Sequence, residues 1–327
     1  MVNKAVVGVL VGAALLASGM AQSAESYPER RVSIIVSFAP GGATDILGRY
    51  LADQLSQHYD ATFLVDNQAG AGGRRGTQIA SRATPDGYTL FLGQVSSHGV
   101  APPLYGDELG YDPIGDFTPI ALVSASPQVM VVPAASGITS VSDFMRHAAS
   151  NNVVYASSGI GTTVHLSGEL FNVMAGTSLE HVPYNGSGPA KAGLLSGEVD
   201  LMFDDLPSAM SQIRSGDFRA LAVTVGARNP ALPEVPTLSE VGGEYGLEGF
   251  DASAWFVLAG PAGLPVGVRD SLNSAMNAIL DKPEVRAFFE NTGSVTLGGS
   301  PADAEAHIRT EIDKWTRVIR EANIVLE

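Results

Sequence analysis

The chain alternates short apolar runs with stretches of helical periodicity. Arg31–Phe38 (RVSIIVSF) is a compact apolar run and predicts a buried strand. Beyond it, Ile46, Leu47, Tyr50, Leu51 and Leu55 share one face of a helix opening near Asp45. Ala61–Asp66 and Gly87–Gly93 predict the next strands, the second announced by the turn signal Pro85-Asp86-Gly87. Gln128–Pro133, Val153–Ser157, Leu179–Pro183, Asp200–Phe203 and Arg219–Val225 continue the series, with helices expected near 141–150, 162–175, 188–197 and 207–215. Such alternation predicts an α/β fold with mostly parallel sheets. The end of the chain is helical instead, over Val266–Leu280, Pro283–Asn291 and Ala302–Ala322. Ile308, Ile312, Trp315 and Ile319 share one face of the last helix, which is expected to pack on the core. Two strand-like segments, 118–133 and 250–259, are placed to cross between lobes. If both cross, one lobe combines residues 24–123 with 255–327, and the other holds 124–254.

The N-terminus follows a different pattern. Lys4 precedes an apolar run from Ala5 to Ala17 that only glycine interrupts. Small residues at Ala21 and Ser23, or at Gly19 and Ala21, then suit a cleavage site. Residues 1–23 are therefore expected to be a secretory signal peptide. The run is shorter than the ~20 apolar residues a spanning helix needs, and no later stretch is long and apolar enough to span. The mature chain is expected to be soluble and exported.

Charge and composition narrow the classes. The chain carries 34 acidic and 19 basic side chains, a formal net charge of −15. Loss of residues 1–23 removes Lys4 and no acid, leaving −16. An acidic surface of this kind excludes a broad nucleic-acid footprint, which needs excess Lys and Arg. A hydrophobic content of 45% over 327 residues argues against disorder and allows about two domains. The absence of cysteine excludes disulfides, thiolate zinc sites, Fe–S clusters, a cysteine nucleophile and a lipid-bearing cysteine anchor. The six histidines show no metal-ligand spacing, and no P-loop, complete GxGxxG, GxSxG or HExxH pattern occurs. No metal and no cofactor are expected.

Two segments combine features suited to an anion. Pro40-Gly41-Gly42-Ala43-Thr44-Asp45 lies between the first strand and first helix. Its glycines let backbone N–H groups approach a ligand, and the helix end adds partial positive charge. Asp45 would repel an anion there; it could cap the helix, bind loop N–H groups or receive a ligand ammonium or hydroxyl. Ser157-Ser158-Gly159-Ile160-Gly161-Thr162-Thr163-Val164-His165 repeats the arrangement in the other lobe, with Thr162 and Thr163 as N-cap candidates. Together they predict a cleft that grips an anion from both sides. Gln94–His98, Pro183–Gly188 and Phe203–Asp205 also follow strands, where α/β sheets bind ligands.

The segments PGGATD (40–45), NQAGAGG (67–73), SSGIGTTVHLSGELF (157–171), PYNGSGPA (183–190) and LMFDDLPSA (201–209) occur in an ordered series. RALAVTV (219–225), LPEVPTLSE (232–240) and WFVLAGPAGLP (255–265) complete it. The series resembles the Bug/TctC-type extracytoplasmic solute receptors, the binding components of tripartite tricarboxylate transporters. The resemblance covers essentially the whole mature chain. It implies a two-lobed periplasmic-binding-protein fold, type II-like, closing on a small carboxylate held by loop N–H groups, hydroxyls and water rather than an arginine clamp. By matching motif, the implied contacts are Phe38, Gly41, Gly42 and Asp45; Ser96, Ser97 and His98; Ser158, Gly161, Thr162, Thr163 and His165; and Tyr184 and Asp204. The implied partners are the ligand and membrane permease subunits, with the receptor itself a monomer.

Some positions depart from the pattern. Asn185 stands where a basic residue is frequent, and Asp205 and Ala101 where asparagine is frequent. Arg74 and Arg75 replace uncharged residues. The site's sparse positive charge suits a mono- or dicarboxylate, an aromatic acid or an amino acid better than a tricarboxylate. Two other classes remain open from sequence: a secreted enzyme using Asp45, His165 or Asp204 as base, and a sensor signalling to a membrane kinase.

Overall fold

The computed structural model describes residues 27–321. The expected signal peptide lies outside them. The first lobe opens with β1 (Val32–Val36), α1 (Ala43–Tyr59), β2 (Phe63–Asn67), α2 (Arg74–Ser81) and β3 (Thr89–Gln94). A wide helical turn over Ser96–Val100 runs into the short α3 (Ala101–Tyr105) and then β4 (Phe117–Pro133). Next come α4 (Val141–Ala148), β5 (Val154–Ser157), α5 (Thr163–Ala175), β6 (Glu180–Pro183), α6 (Ser187–Ser196), β7 (Leu201–Asp205), α7 (Leu206–Ser215) and β8 (Phe218–Val223). After α8 (Leu238–Val241), the chain returns through β9 (Ser253–Pro261) to α9 (Val266–Leu280), α10 (Pro283–Asn291), β10 (Val295–Gly298) and α11 (Pro301–Glu321).

The sheet is parallel at its flanks and antiparallel at its centre. β1 pairs in parallel with β2 and β3, and β5 pairs in parallel with β6 and β7. β9 runs antiparallel to β3 and β4, while β4 runs antiparallel to β7, β8 and β10. The expectation of mostly parallel strands thus holds only at the flanks, where helices supply crossovers. β4 and β9 instead run in opposite directions where the two halves join. β4 is one continuous strand: Phe117–Pro127 pairs with β9, and Gln128–Pro133 with β7 and β8.

Burial follows the strand alternation. In the second half of β4, Val129 and Val131 face one core, and Met130 and Val132 the other. The first-lobe core joins Val36, Leu47, Leu92, Phe256 and Leu272 to Ile308 and Trp315 of α11. Trp315 and Trp255 both donate their indole N–H to Glu311 Oε2, at 3.3 and 2.9 Å. The terminal helix is therefore fixed by burial and by a shared acceptor.

One buried residue clasps both segments that join the halves. Thr224 Oγ1 accepts from Gln128 N at 2.9 Å and donates to Ala252 O at 2.5 Å. The backbone adds Thr224 N to Gln128 O at 3.0 Å and Ala252 N to Thr224 O at 2.9 Å. Thr224→Val keeps the shape but orphans the buried Gln128 N–H, at a cost of about 1–3 kcal/mol. We expect its thermal midpoint to fall by several degrees. An unchanged midpoint in thermal denaturation would show that the clasp contributes nothing.

Candidate functional site

The first loop leaves its helix end free of side-chain caps. Gly42 is the N-cap of α1, in extended conformation, with no side-chain cap bond. The first-turn N–H groups of a helix have no intrahelical partner and carry partial positive charge. Asp45 turns back into its own loop. Its carboxylate accepts from Gly41 N–H at 3.0 Å and Asn67 Nδ2 at 2.9 Å, and pairs with Arg49 at 2.8 Å. Burial favours the neutral acid, but Arg49, Gly41 N–H and Asn67 outweigh it and hold the carboxyl below its ordinary range. Asp45 is thus ionised and braces the loop. Phe38 is buried beneath Gly73, and its carbonyl accepts from Asn67 Nδ2 at 3.0 Å.

The second loop is braced differently. Thr162 caps α5, donating to Gly159 O at 2.7 Å and accepting from His165 N at 3.3 Å. The same histidine's Nδ1 accepts from Gly161 N at 3.2 Å. Its ring stacks on His181 with centroids 4.1 Å apart. Burial, and then the His181 neighbour, push its pKa down to about 3, so it is neutral at physiological pH. His165 supports the loop from behind.

The lobes touch along both loops. Ala39 N donates to Asn185 O at 3.1 Å, and Thr163 N donates to Ser96 Oγ at 3.1 Å. Tyr105 OH donates to Ile160 O at 3.3 Å. Glycine makes the closest approaches possible. A Cβ on Gly188 would lie 2.1 Å from Pro40 O, and one on Gly72 would lie 2.2 Å from Ile160 O. The two lobes are therefore in direct contact across the junction.

The remaining expected contacts do not all face this junction. In the Ser96-Ser97-His98 turn, only Ser96 bonds to the second lobe. Ser97 Oγ donates to Gln94 O at 2.9 Å and lies 2.9 Å from His98 Nδ1. His98 is fully buried against Phe91 and Phe117, and burial pushes its pKa down to about 3. Tyr184 donates its backbone N–H to Ser157 O at 3.0 Å and lays its hydroxyl over Gly193. Ser158, Gly161, Thr162 and Thr163 are all buried at the junction or in the turn behind it.

A polar belt lines the second lobe. Lys191 is buried and donates to Ser208 O at 2.6 Å and, across the junction, to Gly41 O at 3.0 Å. Burial raises the Asp204 pKa, while Lys191, Ser208 and Ser187 pull against that rise. Asp205 accepts from Gln128 Nε2 at 3.1 Å, and Ser167 bridges Gln128 Oε1 and Thr163 O. Burial, and then repulsion from Asp204, push Asp205 up to about 7. Sequence reasoning overlooked Lys191, Gln128, Ser167 and Ser208, while Ser187 lay within the expected Pro183–Gly188 segment. The available signal was Lys191 itself, a lone cation inside the run Pro189-Ala190-Lys191-Ala192-Gly193-Leu194. Among the described residues, no cluster of three His, Asp or Glu side chains is arranged to hold a metal.

Two α/β lobes that meet at a junction flanked by glycine-rich helix ends define a solute-binding receptor of the periplasmic type. More narrowly, the chain belongs to the tripartite tricarboxylate transporter family of receptors, whose family model matches residues 47–324. It is 33% identical to Protein BugT of Bordetella pertussis, over 99% of this chain and 98% of BugT. A solved structure of R. palustris Rpa4515 with adipate is 35% identical, covers 91% of this chain and 99% of its own, and superposes with a TM-score of 0.86. MatC of Rhodopseudomonas palustris with bound malate is 31% identical, covers 90% of this chain and 100% of its own, and has a TM-score of 0.82.

The Asp205 environment predicts a pH effect. A carboxyl raised from about 4 to about 7 on folding holds a proton that the unfolded chain has lost. Its contribution to stability is complete below pH ~4 and is lost as pH rises through ~7. Asp205→Asn keeps the acceptor for Gln128 and removes the titration. Its thermal midpoint should gain on the native protein's between pH 5 and pH 8. A difference that stays constant across that range would contradict the assignment.

Proposed function

We propose that this protein is an exported periplasmic receptor that captures a small carboxylate between its lobes and delivers it to the membrane subunits of a tripartite transporter. The observation that carries the reading is a helix end on each side of the junction, at Gly42 and at Thr162, with neighbouring loops in contact across it. Two similar proteins whose structures carry adipate and malate support a carboxylate as the ligand class. We place the lobes at 24–123 plus 255–327 and at 124–254, with the hinge at the Thr224 clasp. The segregated cores support that division.

The protein acts by closing, with no chemical step. The closed state gains from whatever contacts the ligand makes with both lobes at once. The candidate bases are otherwise engaged: Asp45 is held by three donors, His165 is buried and neutral, and Asp204 lies beside Lys191. Backbone N–H groups at the Gly42 end of α1, with the hydroxyls of Ser96, Ser158 and Thr163, are the proposed ligand contacts.

Isothermal titration against a panel of mono-, di- and tricarboxylates and amino acids tests the reading. At least one mono- or dicarboxylate should bind and be recovered unaltered. Gly42→Asp places a negative side chain at the end of α1 and against Ser187. It should weaken that binding by about tenfold or more. Binding by tricarboxylates alone would overturn the preference for one or two carboxylates, and no binding at all, or an unchanged affinity in Gly42→Asp, would overturn the reading.

A further inference from the structure

The outer margin of the junction forms a groove of about 540 Å³. Gly72, Arg74 and Tyr105 line it from the first lobe, and Ile160, Tyr184 and Pro189 from the second. Arg74 lays its guanidinium 3.9 Å from the centre of the Tyr105 ring. Its one hydrogen bond is long, 3.4 Å from Nε to Ala71 O. Among the described residues, no carboxylate lies within 4.0 Å of it. The Tyr105 hydroxyl that backs this cation bonds to Ile160 O of the other lobe, so closure fixes the platform.

The inner junction lacks an equivalent charge. Lys191 spends two of its three ammonium hydrogens on carbonyls and lies beside Asp204. A ligand's first carboxylate is therefore left to the helix ends, and the groove offers a second anionic group a cation with no carboxylate partner. Guanidinium suits that role because it can bind a carboxylate through two parallel N–H bonds while stacked on a ring. The groove's other walls include the apolar Ala71, Ile160, Pro183 and Pro189 beside Asn185, with Ile160 38% exposed. They fit a methylene spacer and disfavour a densely charged anion.

We propose that this groove is a second anion subsite, with Arg74 receiving the remote carboxylate of an extended dicarboxylate. The inference rests on the receptor reading above and specifies its ligand class. Adipate and hexanoate test it, because they share a six-carbon chain and differ only in the second carboxylate. By titration calorimetry, the native protein should bind adipate at least about tenfold tighter than hexanoate. Arg74→Gln should erase most of that preference and leave hexanoate unchanged. Ile160→Asp, which brings an acid into the groove, should weaken adipate selectively. The proposal fails if the native protein shows no preference, if Arg74→Gln preserves it, or if Arg74→Gln weakens both acids equally. It also fails if shorter acids bind but neither six-carbon acid does, an outcome that leaves the receptor reading standing. If no carboxylate in the wider panel binds, the receptor reading itself fails.

Discussion

Closure in this protein brings backbone against backbone. Pro40 O lies where a Cβ on residue 188 would be, and Ile160 O where one on residue 72 would be. Any side chain at either position would hold the lobes apart or displace a loop. With glycine there, Ala39 N reaches Asn185 O, Lys191 reaches Gly41 O, and Ser96 reaches Thr163. The ends of α1 and α5 then approach one junction. Each polar contact contributes only about 0.5–1.5 kcal/mol net, so the closed state depends on several forming together.

The charge distribution bears on how an acidic protein would hold the proposed acid. A net charge of −15 does not draw anions in. At physiological salt the Debye length is about 8 Å, so distant surface carboxylates are largely screened at the cleft. What acts locally is a pair of helix ends and the groove cation. The acids nearest them are neutralised in different ways. Asp45 is spent on Arg49, Gly41 N–H and Asn67, Asp204 lies beside Lys191, and Asp205 retains a proton to near neutral pH.

The alternation of apolar runs made most of the fold legible. The helices 162–175, 207–215, 266–280 and 283–291 match α5, α7, α9 and α10 closely, because amphipathic spacing and flanking Gly or Pro mark their ends. The continuity of β4 was legible as well: the strand-like segment 118–133 corresponds to Phe117–Pro133, which pairs with β9 along its first stretch despite two prolines there. The helix α2 was hidden because it follows the glycine-rich 67–73 segment. At the site, glycine-rich loops before helices located both helix ends. Periodicity carries no information on which way a turn residue points. Ser96 reaches across the junction, while His98, two residues on, is buried between Phe91 and Phe117. Lys191 escaped for a related reason: its role comes from a contact with Gly41, 150 residues away in sequence.

The most direct test of two-sided capture is a crystal structure of the protein grown with a dicarboxylate it binds. The account predicts one carboxylate between the lobes, within about 3 Å of backbone N–H groups at the Gly42 turn and of a hydroxyl at Ser158 or Thr163. An acid bound to one lobe alone, or outside the junction between these loops, would contradict it.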